Sequence, residues 1–154
     1  MREADTVCVF MVNAHIDISQ GLDGEPVVLA CFDLDAELLA ASAHAVAAAG
    51  ERFRNADLSV DDVIELRELT ALSDELADLA LRPGMRTVVL RPARLTVYRD
   101  AVARFVESRD ESEWVREEDQ EPLARVRGLL YALEDLCGDA LRAALSGTPS
   151  PRAC

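Results

Sequence analysis

The residues near the start of this chain that could carry chemistry are His15 and Asp17, in the alternating stretch HIDIS at positions 15–19. In a β-strand, side chains two positions apart lie on the same face. A carboxylate beside an imidazole can orient it for acid–base catalysis, so this pair supports the hypothesis of a small enzyme that uses His15 and Asp17. The sequence places no nucleophilic side chain next to them, and we therefore assign no catalytic residue. His44 lies among small residues of a helical stretch, where we expect an ordinary helix histidine.

A second group of possible ligands is Asp33-x-Asp35, since hard divalent cations prefer carboxylate oxygens. Asp35 has a competing role, because an Asp directly before an apolar helical stretch is a typical N-cap. The chain contains neither a glycine-rich phosphate loop nor an HExxH zinc motif. We therefore predict no cofactor and no metal site.

The four cysteines are separated by 23, 106 and 17 positions and form no CxxC pair. No histidine stands at a zinc-finger spacing from any of them. We expect Cys8, Cys31 and Cys137 to be small buried hydrophobic residues, and Cys154 to be a thiol in the tail.

The charge balance is strongly acidic: 29 acids stand against 16 arginines and no lysine, which gives a formal net charge of −13. The exclusive use of arginine is typical of a bacterium with a GC-rich genome. Nucleic-acid binding needs a basic face, so the acidity argues against it. The acidic net charge is compatible with a basic protein partner. One alternative function is therefore an acidic immunity or inhibitor-type protein that masks the basic site of a toxin or nuclease.

The first residues place acids before an apolar run of six, 7–12, which is too short for a signal peptide. No stretch approaches the eighteen consecutive apolar residues of a membrane-spanning helix. These features predict a cytoplasmic protein without a membrane partner.

Apolar and periodic stretches predict three strands and four helices. The run 6–12, which 15–19 would extend, forms a hairpin with 27–32 across a turn at 21–26, and 85–91 is the third strand. The helices are expected at about 35–54, 59–82, 95–110 and 122–146. Ser59 and Asp62 have the spacing of a capping box, and Pro122 is expected in the first turn of the last helix.

The order of these signals recurs along the chain. Strand, cap and two helices appear in 27–82 and again in 88–143 at a constant shift of 61 positions, which aligns Asp35 with Thr96 and Phe53 with Trp114. We predict a duplicated β-α-α unit within one helix-rich α+β domain, 1–147, whose four helices lie on one face of a three-stranded sheet. The alternative is a helical bundle that carries a short sheet. Residues 148–154 are predicted to be a flexible tail.

The last helix carries two apolar seams, one of which repeats every seven residues: Leu129, Leu136 and Ala143. Either both seams are buried inside the domain, or the second one contacts a twofold-related copy in a homodimer. Trp114 lies in the acidic stretch 107–122, which is either a solvated loop or a docking loop. The leading functional hypothesis is a non-catalytic protein–protein interaction or regulatory module that self-associates, with these four residues as interface candidates.

Overall fold

The computed structural model describes residues 12–53, 57–110, 117–147 and 150–151. The predictions for the run 6–11, Cys8, Trp114 and Cys154 lie outside these residues. The helices are α1 Ala36–Gly50, α2 Val60–Ala80, α3 Pro92–Asp110 and α4 Glu117–Ser146, and a short 3₁₀ turn at Glu51–Phe53 follows α1. The strands are β1 Val12–Gln20, β2 Pro26–Leu34, β3 Arg86–Leu90 and the two-residue β4 Ser150–Pro151.

The four strands form one antiparallel sheet in the order β3-β2-β1-β4. In the described part of the chain, 68% of the residues are helical. The predicted helix-rich α+β class, with four helices and a small sheet, is therefore confirmed. Among the described residues, no helix combines the length and the apolarity needed to span a lipid bilayer.

The predicted hairpin is confirmed by the pairing of β1 with β2, in which Gln20 lies opposite Pro26. Gly21 donates its amide to the carbonyl of Glu25, and Gly24 adopts a φ of 83°, a left-handed conformation that glycine allows at little cost. The stretch 15–19, expected only as an extension, forms the main part of β1.

The two faces of the sheet differ in burial because alternate residues of a strand point to opposite sides. One face packs against the helices, and its residues are almost fully buried: Ile16, Ala30, Phe32, Leu34, Val88 and Leu90. The outer face carries the residues between them and is half-buried or exposed, apart from Cys31.

Two helices begin where the sequence predicts. The carboxylate of Asp35 accepts a hydrogen bond from the amide of Leu38 at 2.8 Å. Although burial works against it, this amide together with the guanidinium of Arg125 holds the pKa of Asp35 below its usual range. Ser59 and Asp62 form the predicted reciprocal capping box at the start of α2.

The other two helices begin earlier than predicted. Thr96 is not an N-cap: α3 starts at Pro92, and the Thr96 hydroxyl donates to the Pro92 carbonyl inside the helix. Proline at the first helical position has its φ already fixed near the helical value, and this favours the earlier start. The last helix starts at Glu117, so Pro122 lies beyond its first turn.

The order of strand, helix and helix occurs twice, in β2-α1-α2 and in β3-α3-α4. The helices do not start at a constant shift, because Asp35 caps its helix whereas Thr96 lies within one. The duplication is not confirmed and stays a prediction.

The residues on the second seam of the last helix, which the sequence offered as interface candidates, are buried within the domain, as the alternative reading of the two seams expected. Leu129, Leu136 and Ala143 are 0%, 0% and 1% exposed within the single chain. Helix α4 contacts α1, α3, β1 and β2, so its wide apolar surface is covered inside the domain. A surface buried in the monomer does not provide a contact with a second copy.

The predicted three-stranded sheet gains a fourth strand from the tail. Gly147 has a φ of 71° and donates its amide to the Ala143 carbonyl, which ends α4 and turns the chain. Ser150 and Pro151 then pair with Ile16 and His15 of β1.

Candidate functional site

The candidate site lies on the outer face of the β1–β2 hairpin. His15 is directly opposite Cys31 in the register, and Asp17 follows His15 on the same face. The three side chains each offer one donor atom, and these atoms lie within 4.8 Å of one another. The hairpin thus brings the thiol of Cys31, from the other side of the turn, next to the imidazole and the carboxylate of β1.

A β-bulge orients the imidazole. The register between β1 and β2 shifts between Val12 and His15, and Asn13 within this shift has a φ of 55°. Asn tolerates this left-handed conformation better than most residues. Nδ1 of His15 donates to the Asn13 carbonyl oxygen at 2.8 Å, a bond that requires the proton on Nδ1. In neutral His15, Nε2 therefore carries the free lone pair.

The lone pair of Nε2 faces another acceptor. It lies 3.3 Å from the carboxylate oxygen Oδ2 of Asp17, a distance at which a proton on Nε2 of the imidazolium form makes a hydrogen bond to the carboxylate. The hydrogen bond to Asn13, the hydrogen bond to Asp17 and the charges of Asp17 and Asp33 raise the pKa of His15 although burial opposes them.

The thiol of Cys31 is the innermost member of the site. The residue is 8% exposed, and Sγ lies 4.0 Å from the same Asp17 oxygen. Burial, together with the negative charges of Asp17 and Asp33, raises the pKa of the thiol. Cys31 is therefore held as a protonated thiol, which is a poor nucleophile.

Asp33 stands beside the site and is held by two donors. Its carboxylate accepts from Nδ2 of Asn13 at 2.8 Å and from the Thr87 hydroxyl at 2.5 Å. It adds negative charge to the surroundings of His15 and Cys31. Outer-shell hydrogen bonds of this kind restrict the side chains that surround a site.

Asp33 and Asp35 do not act as a pair. The Asp33 carboxylate lies on the outer face of the sheet, whereas Asp35 caps α1 and forms an ion pair with Arg125 of α4 at 2.5 Å. Arg125 also pairs with Glu37, so the acids at the start of α1 fix α4 to α1.

The donor set fits a transition-metal ion. Zinc binds sulfur at about 2.3 Å and nitrogen or oxygen at about 2.0–2.2 Å, which places tetrahedral ligands about 3.3–3.7 Å apart. The nitrogen–oxygen distance of 3.3 Å between His15 and Asp17 already matches, and the sulfur of Cys31 must approach by about 1 Å at most.

The other residues singled out in the sequence lie elsewhere. His44 is exposed on α1 and packs edge-on against the ring of Phe105, with centroids 5.7 Å apart. Cys137 is half-buried on α4, and burial raises its pKa. A cavity of about 460 Å³ opens between α1 and α2, with Val46, Phe53 and Leu69 in its wall. Its described lining residues do not include His15, Asp17 or Cys31.

Cys31 was assigned no site role from the sequence; it is buried as expected, but its sulfur lies on the outer face against Asp17. The position of the predicted turn could have identified Cys31 as a neighbour of His15. A hairpin that turns at 21–25 places residues symmetrically about position 23, so that His15 pairs with Cys31 and Asp17 with Leu29. Combining the predicted turn with the two-residue alternation would have found the cluster.

No protein-family model, curated protein or solved structure matches this chain.

Proposed function

We propose that this protein binds a divalent transition-metal ion of the zinc class through Nε2 of His15, a carboxylate oxygen of Asp17 and Sγ of Cys31. The observation that carries the proposal is the convergence of three electron-pair donors on one point of the outer face. The bond from Nδ1 to the Asn13 carbonyl supports it, because it leaves Nε2 free to bind an ion.

The charges of the donor set favour a doubly positive ion. A neutral imidazole, a carboxylate and a thiolate together carry two negative charges, which a divalent cation neutralises. Mixed nitrogen, oxygen and sulfur ligands suit zinc, cobalt and related ions, whereas magnesium and calcium prefer oxygen alone. The nearby carboxylate of Asp33 adds to the attraction for a cation.

A non-catalytic binding or regulatory role suits this site better than the enzyme hypothesis. The thiol is kept protonated, and the site lies on the outer face of the sheet rather than in the cavity between α1 and α2. The proposed role of His15 and Asp17 is to hold an ion, not to transfer protons in catalysis. Self-association and the binding of a basic protein partner remain proposals. The second seam of α4 does not support self-association, because its residues are buried within the single chain.

Titration with Co²⁺, a spectroscopic substitute for zinc, tests the proposal. We expect one ion per chain and an absorption band from thiolate-to-cobalt charge transfer. Replacing Cys31→Ser should abolish that band, and His15→Gln should weaken binding at least about 100-fold because a ligand is lost. Mg²⁺ should not compete.

Two matched variants serve as controls. Cys137→Ser and His44→Gln change the same residue types away from the site and should bind Co²⁺ like the parent chain. The proposal fails if the parent chain binds no Co²⁺ or Zn²⁺ below about 1 mM. It also fails if Cys31→Ser retains the charge-transfer band that Cys137→Ser loses.

A further inference from the structure

The cavity between α1 and α2 has a floor of apolar side chains. Val46 of α1, Phe53 of the 3₁₀ turn and Leu69 of α2 lie in its wall and are at most 8% exposed. The volume of about 460 Å³ falls within the range of clefts that bind small organic molecules, about 300–1,000 Å³. The cavity therefore has the size and the apolar surface to hold the body of such a molecule.

Two hydroxyl groups in the wall already use their hydrogens inside the protein. The Thr70 hydroxyl donates to the Leu66 carbonyl at 2.8 Å, and the Ser73 hydroxyl donates to the Ala43 carbonyl at 3.2 Å. A serine or threonine hydroxyl has one hydrogen to donate and two lone pairs. Lone pairs are therefore what these two hydroxyls can offer to a ligand.

The charged side chains in the wall are both acidic. Glu51, directly after α1, and Asp74 of α2 are exposed, and no basic side chain occurs among the described residues that line the cavity. Arg52 follows Glu51 in the chain, but its guanidinium pairs with Glu65. Helix α1 ends at Gly50 without a basic residue in its last turn, so none offsets the negative end of its dipole there. These charges favour a cation.

We propose that this cavity binds a small organic cation, in which an ammonium or guanidinium group is attached to an apolar body. Carboxylates and the two hydroxyl oxygens accept hydrogen bonds, whereas ammonium and guanidinium groups only donate them, so the wall and the ligand match. The apolar body packs against Phe53 and Leu69, and the charged group lies at the rim near Asp74. This site does not depend on the proposed metal site, whose three ligands are absent from the described wall.

Four small probes separate the charge of the ligand from its apolar body. Phenethylamine has both features, phenethyl alcohol keeps the body without the charge, phenylpropionate carries the opposite charge, and ethylamine lacks the ring. Titration of the full chain, followed by amide NMR, should give a dissociation constant of about 1 mM for phenethylamine. Each of the other three should bind at least about threefold more weakly. The shifted amides should include those of Gly50, Thr70 and Ser73.

Asp74→Asn tests the role of charge at the rim. It should weaken the binding of phenethylamine about threefold and leave that of phenethyl alcohol unchanged, because the alcohol carries no charge. Asp61→Asn removes the same charge at an exposed position of α2 outside the described wall, and should affect neither probe. Equal losses in the two variants would show a general attraction of cations to an acidic protein and would overturn the proposal.

Ala47→Leu tests the location of the apolar body. Ala47 is an exposed residue of the wall, and a leucine there would occupy part of the cavity, so we expect at least about tenfold weaker binding of phenethylamine. Ala40→Leu is the matched control, at an exposed position of the same helix outside the described wall, and should bind like the parent chain. Circular dichroism should show unchanged helicity in both variants, since leucine favours helices nearly as well as alanine.

Three results would contradict the proposal. The first is tighter binding of phenethyl alcohol or phenylpropionate than of phenethylamine. The second is a set of shifted amides on another surface of the protein. The third is a folded Ala47→Leu chain with the affinity of the parent; if that variant loses helicity instead, the comparison of Asp74→Asn with Asp61→Asn decides.

Discussion

The two faces of the small sheet are made by the same strands but differ in burial and in polarity. Val88 and Val89 are neighbours in β3, yet Val88 is 4% exposed on the inner face and Val89 is 52% exposed on the outer face. In β2, Phe32 is buried against the helices, whereas Cys31 lies among acids on the other side. The inner face excludes water, and the outer face holds polar groups that have to satisfy one another.

The inner face determines the geometry of the outer one. A shift of β1 by one residue against β2 would move the inner-face residues of β1, such as Ile16, out of the core, which would cost several kcal/mol. This register places His15 opposite Cys31. The core therefore positions the cluster of His15, Asp17 and Cys31 that we propose as a metal site, although none of the three residues contributes a large side chain to the hydrophobic interior.

The largest effect in this comparison is expected from Leu136→Glu. The Leu136 side chain is fully buried on α4, and a charge there is unpaired in the core. We expect loss of most of a total stability of about 5–15 kcal/mol, seen as lost helicity or a strongly lowered urea midpoint. Leu141, which is 63% exposed on the same helix, is the matched control, and Leu141→Glu should change stability by less than about 0.5 kcal/mol.

A folded Leu136→Glu chain that changes only its oligomeric state would contradict this prediction. Gel filtration with light scattering would show that outcome as a smaller particle with unchanged circular dichroism. It would restore the hypothesis that the second seam of α4 is an interface.

A smaller effect is expected from matched substitutions on the two faces of β3. Val88→Thr places a hydroxyl in the core without changing shape or strand propensity, and should cost about 1–3 kcal/mol in the free energy of unfolding. Val89→Thr should cost less than about 0.5 kcal/mol, because the new hydroxyl meets water. Urea denaturation measures both, and equal costs would show that the outer face is covered in solution.

The smallest effect concerns the titration of His15. Its pKa is raised by the hydrogen bond to Asn13 and by Asp17, so Asp17→Asn should lower it part of the way to the ordinary value. Because the folded-state pKa is the higher one, the stabilisation is fully present below about pH 6.5 and is lost as the pH rises through the folded-state value. Imidazole NMR shifts measure the pKa.

Asp74→Asn, at an exposed position of α2, is the control for Asp17→Asn and should leave the His15 pKa unchanged. An unchanged value in Asp17→Asn itself would show that Asp17 does not contact the imidazole in solution. The same titration in the presence of zinc should show His15 resisting protonation, because the ion occupies Nε2.

The sequence alone determined the features that depend on neighbouring residues. The N-cap at Asp35, the capping box of Ser59 and Asp62, and the turn at 21–25 were predictable, since each is completed within a few residues of chain. Thr96 shows the limit of this reasoning, because Pro92 was an equally local signal that favoured an earlier helix start.

The tertiary structure decided the features that depend on which elements meet. The periodicity of α4 showed a wide apolar surface, but only the packing of two helices and two strands around it showed that Leu129 and Leu136 are covered within one chain. The pairing of His15 with Cys31, and of β4 with β1, likewise joins residues distant in sequence. Periodicity shows how much apolar surface a helix or strand has to bury. Which neighbouring element covers that surface depends on how all the helices and strands pack into one core.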